Sequence, residues 1–521
     1  MASLSEALAI PSRLLAAVKH VWHATDALGA LSEYVRVPNL SPSFDADIHT
    51  NGLQERAFAV LTRWIEDRAT AHVRGLKLRV EKLPGRTPLI FVDVAACGGA
   101  RAARAKPVLM YAHADKQPPF EGWAEGLGPY APVVRDGRLY GRGAADDGYG
   151  VFAALSALAA LQREGAAHPR VVVLVEGSEE SGSPDLPFYM ERLQPEIGEP
   201  GLVVCLDSGA GSYDRLWVTS SLRGVLVGDL TVSLLKEGVH SGDASGVVPS
   251  TFRVARELLE RLEDAATGEV KPEALRPELS ADVRRRAAEA AERLGEQGMV
   301  ACFPFLPGAR PVGGSLAELA LNRWWRAQVE VIGGAGIPPS SGAGNVLRPW
   351  TTLTLSVRLP PYLDKREAER CLASLFTEPP PPYGATVEFR ARKSSQGWSA
   401  PPTAPWLDAA LERASAGVFG HPAVFQGEGG TIPFMAMLGA TFPRTQFLVT
   451  GVLGPGANAH GPNEFLHLDY CLGVAACVAH VVAAYVESEG PEDSGSDRER
   501  KRARPDELAA EFTRTREGKK E

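Results

Sequence analysis

One stretch limits the possible folds more than any other: the run Arg170 to Val175 (RVVVLV), followed without a break by Glu176-Gly177-Ser178-Glu179-Glu180-Ser181-Gly182-Ser183. A short β-branched run bounded by small residues reads as a buried strand, and the strand ends by delivering two adjacent acids to a loop. Neighbouring carboxylates repel, and they are costly beside an apolar strand unless a cation or a proton compensates them. A metal ion is the simplest compensation. The plainer reading is that Glu179 and Glu180 are solvated acids opening a helix, where the first turn favours negative charge. The octet by itself does not separate the two.

The rest of the chain bounds the answer. With 521 residues, 45% hydrophobic and 23% charged, it has the make-up of a globular protein with room for at least two cores. A net charge of -8 provides no electrostatic case for a nucleic-acid partner. The six cysteines (Cys97, Cys205, Cys302, Cys371, Cys471, Cys477) are scattered and form no CxxC pair, so neither a thiolate metal site nor a disulfide framework is indicated. The N-terminal MASLSEALAIPSRLL lacks the pattern of a secretory signal, and Cys471 to Tyr485, the most apolar late segment, is too short to span a bilayer. A cytoplasmic protein with no membrane partner is the expectation.

Residues 1 to about 80 carry amphipathic helical patterns such as Gln54 to Ile65. Short apolar runs, LIFVDVAA and PVLMYAH, then alternate with a helical segment at Tyr149 to Arg163, the organising strand, and GLVVCLD. That alternation predicts an α/β catalytic domain on a mainly parallel sheet. From Gly224 the order changes to βαββαβ: strands at 224–235, 328–332, 351–359 and 385–392, with helices at 249–262 and 362–376. This is the order of a ferredoxin-like α+β unit, inserted into the first domain, with a helical and loop excursion near 265–325. The expected division is 1–223 and 395–487 for the catalytic domain, 224–394 for the insert, and 488–521 for a disordered charged tail. Its RERKRARP run reads as a solvated charge run before a nuclear or nucleic-acid address.

Ligands of an α/β sheet gather beyond the carboxyl ends of its strands. There the sequence places His113 and Asp115 after PVLMYA, Asp207 after GLVVCL, and Glu179 with Glu180 after the organising strand. Asp146, at the start of the Tyr149 helix, and His460, from the far side of the insert, complete the set. Each alone has an ordinary reading, as a hydrogen-bonded histidine or a helix N-cap. Together, two imidazoles and several carboxylates without a thiolate suit zinc, manganese or cobalt, and so many acids suggest two divalent ions sharing a bridging carboxylate.

These residues sit in motifs: His113-Ala114-Asp115-Lys116-Gln117-Pro118, Gly122-Trp123, Leu139-Tyr140-Gly141-Arg142-Gly143 to Asp147, EGSEESGS, His240-Ser241-Gly242, Ser356-Val357-Arg358-Leu359-Pro360, Glu428-Gly429-Gly430-Thr431-Ile432-Pro433, and His460. The chain therefore resembles, over about 45–487, the dinuclear-metal amidohydrolases and exopeptidases that include carnosine and nonspecific dipeptidases, glutamate carboxypeptidase, aminoacylases and succinyl-diaminopimelate desuccinylase.

The resemblance implies that His113 and Asp207 bind one metal ion, Glu180 and His460 the other, and that Asp146 bridges both. Asp115 would orient His113, and Glu179 would be the general base for water activated between the ions. His240 would stabilise the oxyanion, reaching the site of the other subunit of a homodimer formed through the inserted lid domain. Arg358, Asn345, Gly429, Gly430 and Thr431 would bind the substrate's free carboxylate. Relatives tend to have a basic residue before the Glu-Gly-Gly, where Gly427 stands here. The resemblance also suggests a cis peptide at Asp146-Asp147. The implied activity is amide hydrolysis by a metallopeptidase acting on small peptides next to a free carboxylate, as a dipeptidase or carboxypeptidase. Alternatives are deacylation of N-acyl amino acids and, from another class, an inactive metal-binding interaction protein.

Overall fold

The computed structural model describes residues 4–488. The charged tail expected beyond Ser488 lies outside the described residues.

The apolar runs form a six-stranded sheet in the order Leu76–Glu81, Leu89–Val94, Val171–Glu176, Val108–His113, Leu202–Cys205, Gln446–Val449. The last four strands are parallel to one another, and the first two are antiparallel additions at one edge. The sheet is thus mixed, parallel where the site is built. The Val171–Glu176 and Val108–His113 strands are buried at every position. Successive side chains go to opposite cores: Val171, Val173 and Val175 pack with the helices Leu4–Ala24, Gly150–Arg163 and Leu468–Ser488, whereas Val172 and Leu174 pack with Leu186–Ile197 and Pro433–Thr441. A β-branched run without polar alternation is what two covered faces require. The edge strand Leu76–Glu81 is half exposed and alternates, and falls in the region where sequence patterning indicates only helices.

The helix Leu468–Ser488 runs to 21 residues, longer than its apolar sequence core suggests, and is apolar enough to cross a bilayer by length and composition. Burial decides its role: 83% of its most apolar window is inside the fold, against the helices Leu4–Ala24 and Pro405–Phe419.

The βαββαβ order is present. Gly224–Ser233, Gln328–Ala335, Trp350–Leu359 and Thr386–Ser395 form a four-stranded antiparallel sheet in which the strand first in sequence lies between the third and fourth, with Thr251–Leu262 and Lys365–Thr377 packed on it. Asp364 starts the second of these helices by accepting from the backbone N–H of Arg366 and Glu367. The excursion behaves differently from the sheet it interrupts. Its helices Ala281–Glu296 and Leu316–Trp324 pack on the strand Val424–Glu428 and belong to the first core, so the chain leaves the insert's own core after Leu275, joins the other at Leu279, stays there to Trp325, and returns at Ala327.

Candidate metal centre

Three parallel strands end at one place and set the site. His113 is the last residue of its strand, Asp207 follows Cys205 by two residues, and Glu179 and Glu180 occupy a single turn just past Glu176. Asp146 comes from the irregular turn Ala144–Gly148, where the Asp146-Asp147 peptide is cis. His460 lies in a loop with left-handed backbone at Asn458, His460 and Asn463.

Asp146 is the centre of the geometry. Its Oδ1 is 3.1 Å from His113 Nε2, and its Oδ2 is 3.0 Å from His460 Nε2. His460 Nε2 is also 3.2 Å from Glu180 Oε2, and His113 Nε2 is 3.8 Å from Asp207 Oδ2. Ligand atoms of His113, Glu179 and Asp207 fall within 4.8 Å of one another, as do those of His113, Asp146 and Glu180. Asp115 is fully buried behind this array: its Oδ1 is 3.5 Å from His113 Nδ1, and its two oxygens accept from the backbone N–H of Glu179 and Glu180, each at 3.0 Å. One acid thereby holds the two-glutamate turn and stands beside the imidazole.

Two supporting acids were not singled out as site residues: Glu428, which opens one of the quoted motifs, and Glu464, four residues after His460. Glu464, fully buried, pairs with Arg142 Nη1 at 2.5 Å and accepts from the backbone N–H of Gly143, Ala145 and Asp146. Glu428 accepts from Ser208 Oγ at 2.7 Å and from the Gly209 N–H at 2.6 Å, fixing the loop after Asp207. Their signal was a charge next to Gly429 in one case and within four residues of His460 in the other, and their partners are visible only in three dimensions.

The electrostatics fit a cationic occupant. Burial, reinforced by Asp207, pushes Glu179 well up, and burial with Asp146 raises Glu180. Burial pushes Asp207 up to about 7, against the pull of His113. Burial opposes the charge of His460, but its hydrogen bonds to Asp146 and Glu180 overcome this and raise it to about 11. Without a metal ion the cluster therefore retains protons on groups that are ordinarily free of them at neutral pH. Divalent cations would displace those protons, and the N and O donors match borderline-hard ions.

Other expected residues lie elsewhere. His240 and Asn345 sit together on an exposed ribbon, where Val239–His240 pairs with Val346–Leu347 and the Ser241 N–H donates to the Asn345 carbonyl. His240 Nδ1 is 3.6 Å from Asp243, and none of its contacts among the described residues reaches the cluster. Arg358 is half buried, on the face of its strand opposite Val357 and Leu359. Thr431 donates its hydroxyl to the carbonyl of Arg223, and an added Cβ at Gly429 would lie 2.9 Å from Arg223 Nη2. At Gly427 a Cβ would meet Trp324 Cβ at 2.6 Å and Ser221 Oγ at 2.7 Å, so the excursion helix occupies the space a side chain would need.

The chain is similar to the cysteinylglycine-S-conjugate dipeptidase of Corynebacterium striatum, 26% identical over 381 residues, covering 73% of this chain and 81% of that one. It is similar to the Cys-Gly metallodipeptidase dug1 of Schizosaccharomyces pombe, 27% identical over 388 residues, covering 70% and 76%. In fold it resembles the M20 family metallo-carboxypeptidase Sso-CP2 from Sulfolobus solfataricus, with a TM-score of 0.69 at 20% identity, covering 88% of this chain and 99% of that one. The family model described as Peptidase family M20/M25/M40 matches residues 109–484, which runs from the strand that presents His113 into the last core helix. A match of that extent over this arrangement of acids and imidazoles shows that the chain belongs to the peptidase family M20/M25/M40 and is a metal-dependent peptidase.

Proposed function

We propose that this peptidase cleaves the amide bond next to the free carboxylate of a small peptide, as a dipeptidase or carboxypeptidase, with two divalent ions, zinc first, in the cluster centred on Asp146. The observation that carries the reading is the Asp146 carboxylate, whose two oxygens face one imidazole each at 3.1 and 3.0 Å. Relatives named as dipeptidases and a fold relative named as a carboxypeptidase support the same substrate class.

In the proposed arrangement His113 and Asp207 hold one ion, Glu180 and His460 the other, and Asp146 both. Such ions supply Lewis acidity and a water that is acidic near neutral pH. Glu179 takes and returns a proton at its carboxylate. Burial and Asp207 already hold that carboxyl in a protonated state when no cation compensates them, so its basicity follows the charge placed beside it. Asp115 positions rather than reacts, keeping the Glu179-Glu180 turn fixed to His113. Arg358, Gly429, Gly430 and Thr431 border the substrate's carboxylate end, with Asn345.

The inserted sheet within 224–394 is proposed as a lid and dimerisation unit on the catalytic domain formed by 1–223 and 395–487. The exposed ribbon supports this: it presents His240 and Asn345 outward, where the partner subunit's site would receive them as oxyanion and carboxylate donors. All six cysteines are free, which supports a reducing, cytoplasmic location.

The test is a substrate panel on the purified protein with zinc, manganese or cobalt supplied and metal content measured alongside. Unblocked dipeptides should turn over faster than N-acetyl amino acids, at two ions per chain. The reverse preference would assign the chain to N-acyl-amino-acid deacylation.

A further inference from the structure

Next to Gly429 lies a cavity lined by basic residues. It measures about 490 Å³ and opens between the 299–312 segment, the helix Leu316–Trp324 and the face of the Trp350–Leu359 strand that carries Arg358. Four arginines line it, Arg223, Arg310, Arg323 and Arg358, and Glu330 is the one acidic residue among the lining residues. Among the described residues none of the four has an ion-pair partner.

Arg223 is the informative member. It is only 8% exposed. Its Nη1 donates to the carbonyls of Asn322 and Arg326 at 3.1 and 3.4 Å, its Nη2 faces Gly429, and its buried Nε has no partner. Burial, then the proximity of Arg358 and Arg323, pushes Arg223 down to about 9. A guanidinium that merely capped the helix end would account for one nitrogen and for none of the other three arginines. Uncompensated buried charge is costly, and an anion entering the cavity would relieve it. The charges are graded, from buried Arg223 through half-buried Arg358 to exposed Arg310 and Arg323, with Phe303 and Phe305 offering apolar wall between them.

A chain of contacts ties the cavity to the acid cluster. Glu428 holds Ser208 and Gly209, the two residues after Asp207, and the next residue, Gly429, abuts Arg223. We infer that the cavity receives an acidic residue on the carboxyl-terminal side of the scissile bond, with Arg358 on its main-chain carboxylate and Arg223 and Arg323 on its side-chain carboxylate, Arg310 standing at the mouth. This rests on the peptidase reading above and narrows it to peptides ending in glutamate or aspartate. Planar guanidiniums suit the task because each grips a carboxylate through two parallel hydrogen bonds.

Ala-Glu and Ala-Gln separate the possibilities, since they differ only in the charge of the terminal side chain. With the full-length, metal-loaded protein, kcat/KM for Ala-Glu should exceed that for Ala-Gln by about tenfold or more, mainly through KM. Arg323→Gln should shrink that ratio by about threefold or more, and Arg310→Gln by less. The ratio is measured within each variant, so a loss of folded protein cancels. A ratio near one in the unaltered protein, with Ala-Gln still cleaved, overturns the pocket and leaves the peptidase reading standing. Calorimetric titration with L-glutamate and L-glutamine decides without turnover: tighter binding of glutamate by about fivefold or more supports the pocket, and equal binding overturns it. Cleavage of neither peptide counts against the dipeptidase reading alone, and the titration then decides the pocket.

Discussion

A carboxylate gripped from both sides by imidazoles has little freedom, and the residues around Asp146 differ mainly in how much proton traffic they are left to carry. Glu180 accepts from Gln117 at 2.7 Å and lies beside His460, whereas Glu179 has no comparable side-chain anchor among the described residues and is free to exchange a proton. Glu179→Gln should therefore keep the metal content and lower kcat by about 10²–10⁴-fold, as loss of a general base does; retained turnover would remove Glu179 from that role. Asp115→Asn should weaken metal binding by about 10–100-fold in a competition titration, because the group orienting His113 loses its charge. Protonation has a definite sign here. Asp207 is held at about 7 in the folded chain against an ordinary 3.8, so its neutral form favours folding below pH 3.8, and that contribution is lost as the pH rises through 7. His460 acts in the same sense at a higher window, being lost toward 11, and Asp146, where burial is outweighed by the hydrogen bonds of its two imidazoles so that its carboxyl is held down, contributes above 3.8. The metal-free protein should therefore have a lower Tm at pH 8 than at pH 6, and zinc should raise Tm more at pH 8. An equal gain at both would refute the protonated cluster.

At the level of elements, the strands delivered the chemistry. Leu174 is fully buried in the core beneath the sheet, and Leu174→Ala should cost about 2–5 kcal/mol in chemical denaturation. The parallel strands were legible from their sequence because two covered faces leave no polar position in the run. Leu76–Glu81 was not, since a half-exposed edge alternates in a way that a helix-rich neighbourhood masks. The clustered acids were legible from their places at strand ends, whereas Glu464 and Glu428 act through partners more than 200 residues away along the chain. Nor does periodicity say which core a helix joins: Leu316–Trp324 lies between strands of the insert yet places Trp324 against Gly427. Gly427→Arg should cost about 1–3 kcal/mol by overpacking, measured in the same denaturation.

At the scale of the whole molecule, the ribbon that carries His240 and Asn345 makes no contact with the acid cluster of its own chain among the described residues. If each subunit's site is completed by the partner's ribbon, inactive Glu179→Gln and inactive His240→Ala proteins, mixed and allowed to exchange subunits, should regain about a quarter of full activity, since half the dimers are mixed and each has one intact site. No recovery on mixing would place His240 outside a shared site. The division of the chain is also less simple than an insert joined by two linkers. Polypeptide passes between the two bodies near Arg223, between Leu275 and Leu279, between Trp325 and Ala327, and near Ser395. All four crossings gather at one end of the four-stranded sheet, where Gln328, Arg358, Val225 and Ser395 lie in register and Leu275 to Leu279 line the same cavity as Trp325 to Gln328. A panel stitched several times along one margin swings about that margin but resists twisting. In this chain the sheet should accordingly move against the acid cluster as one flap about that margin, with little twist.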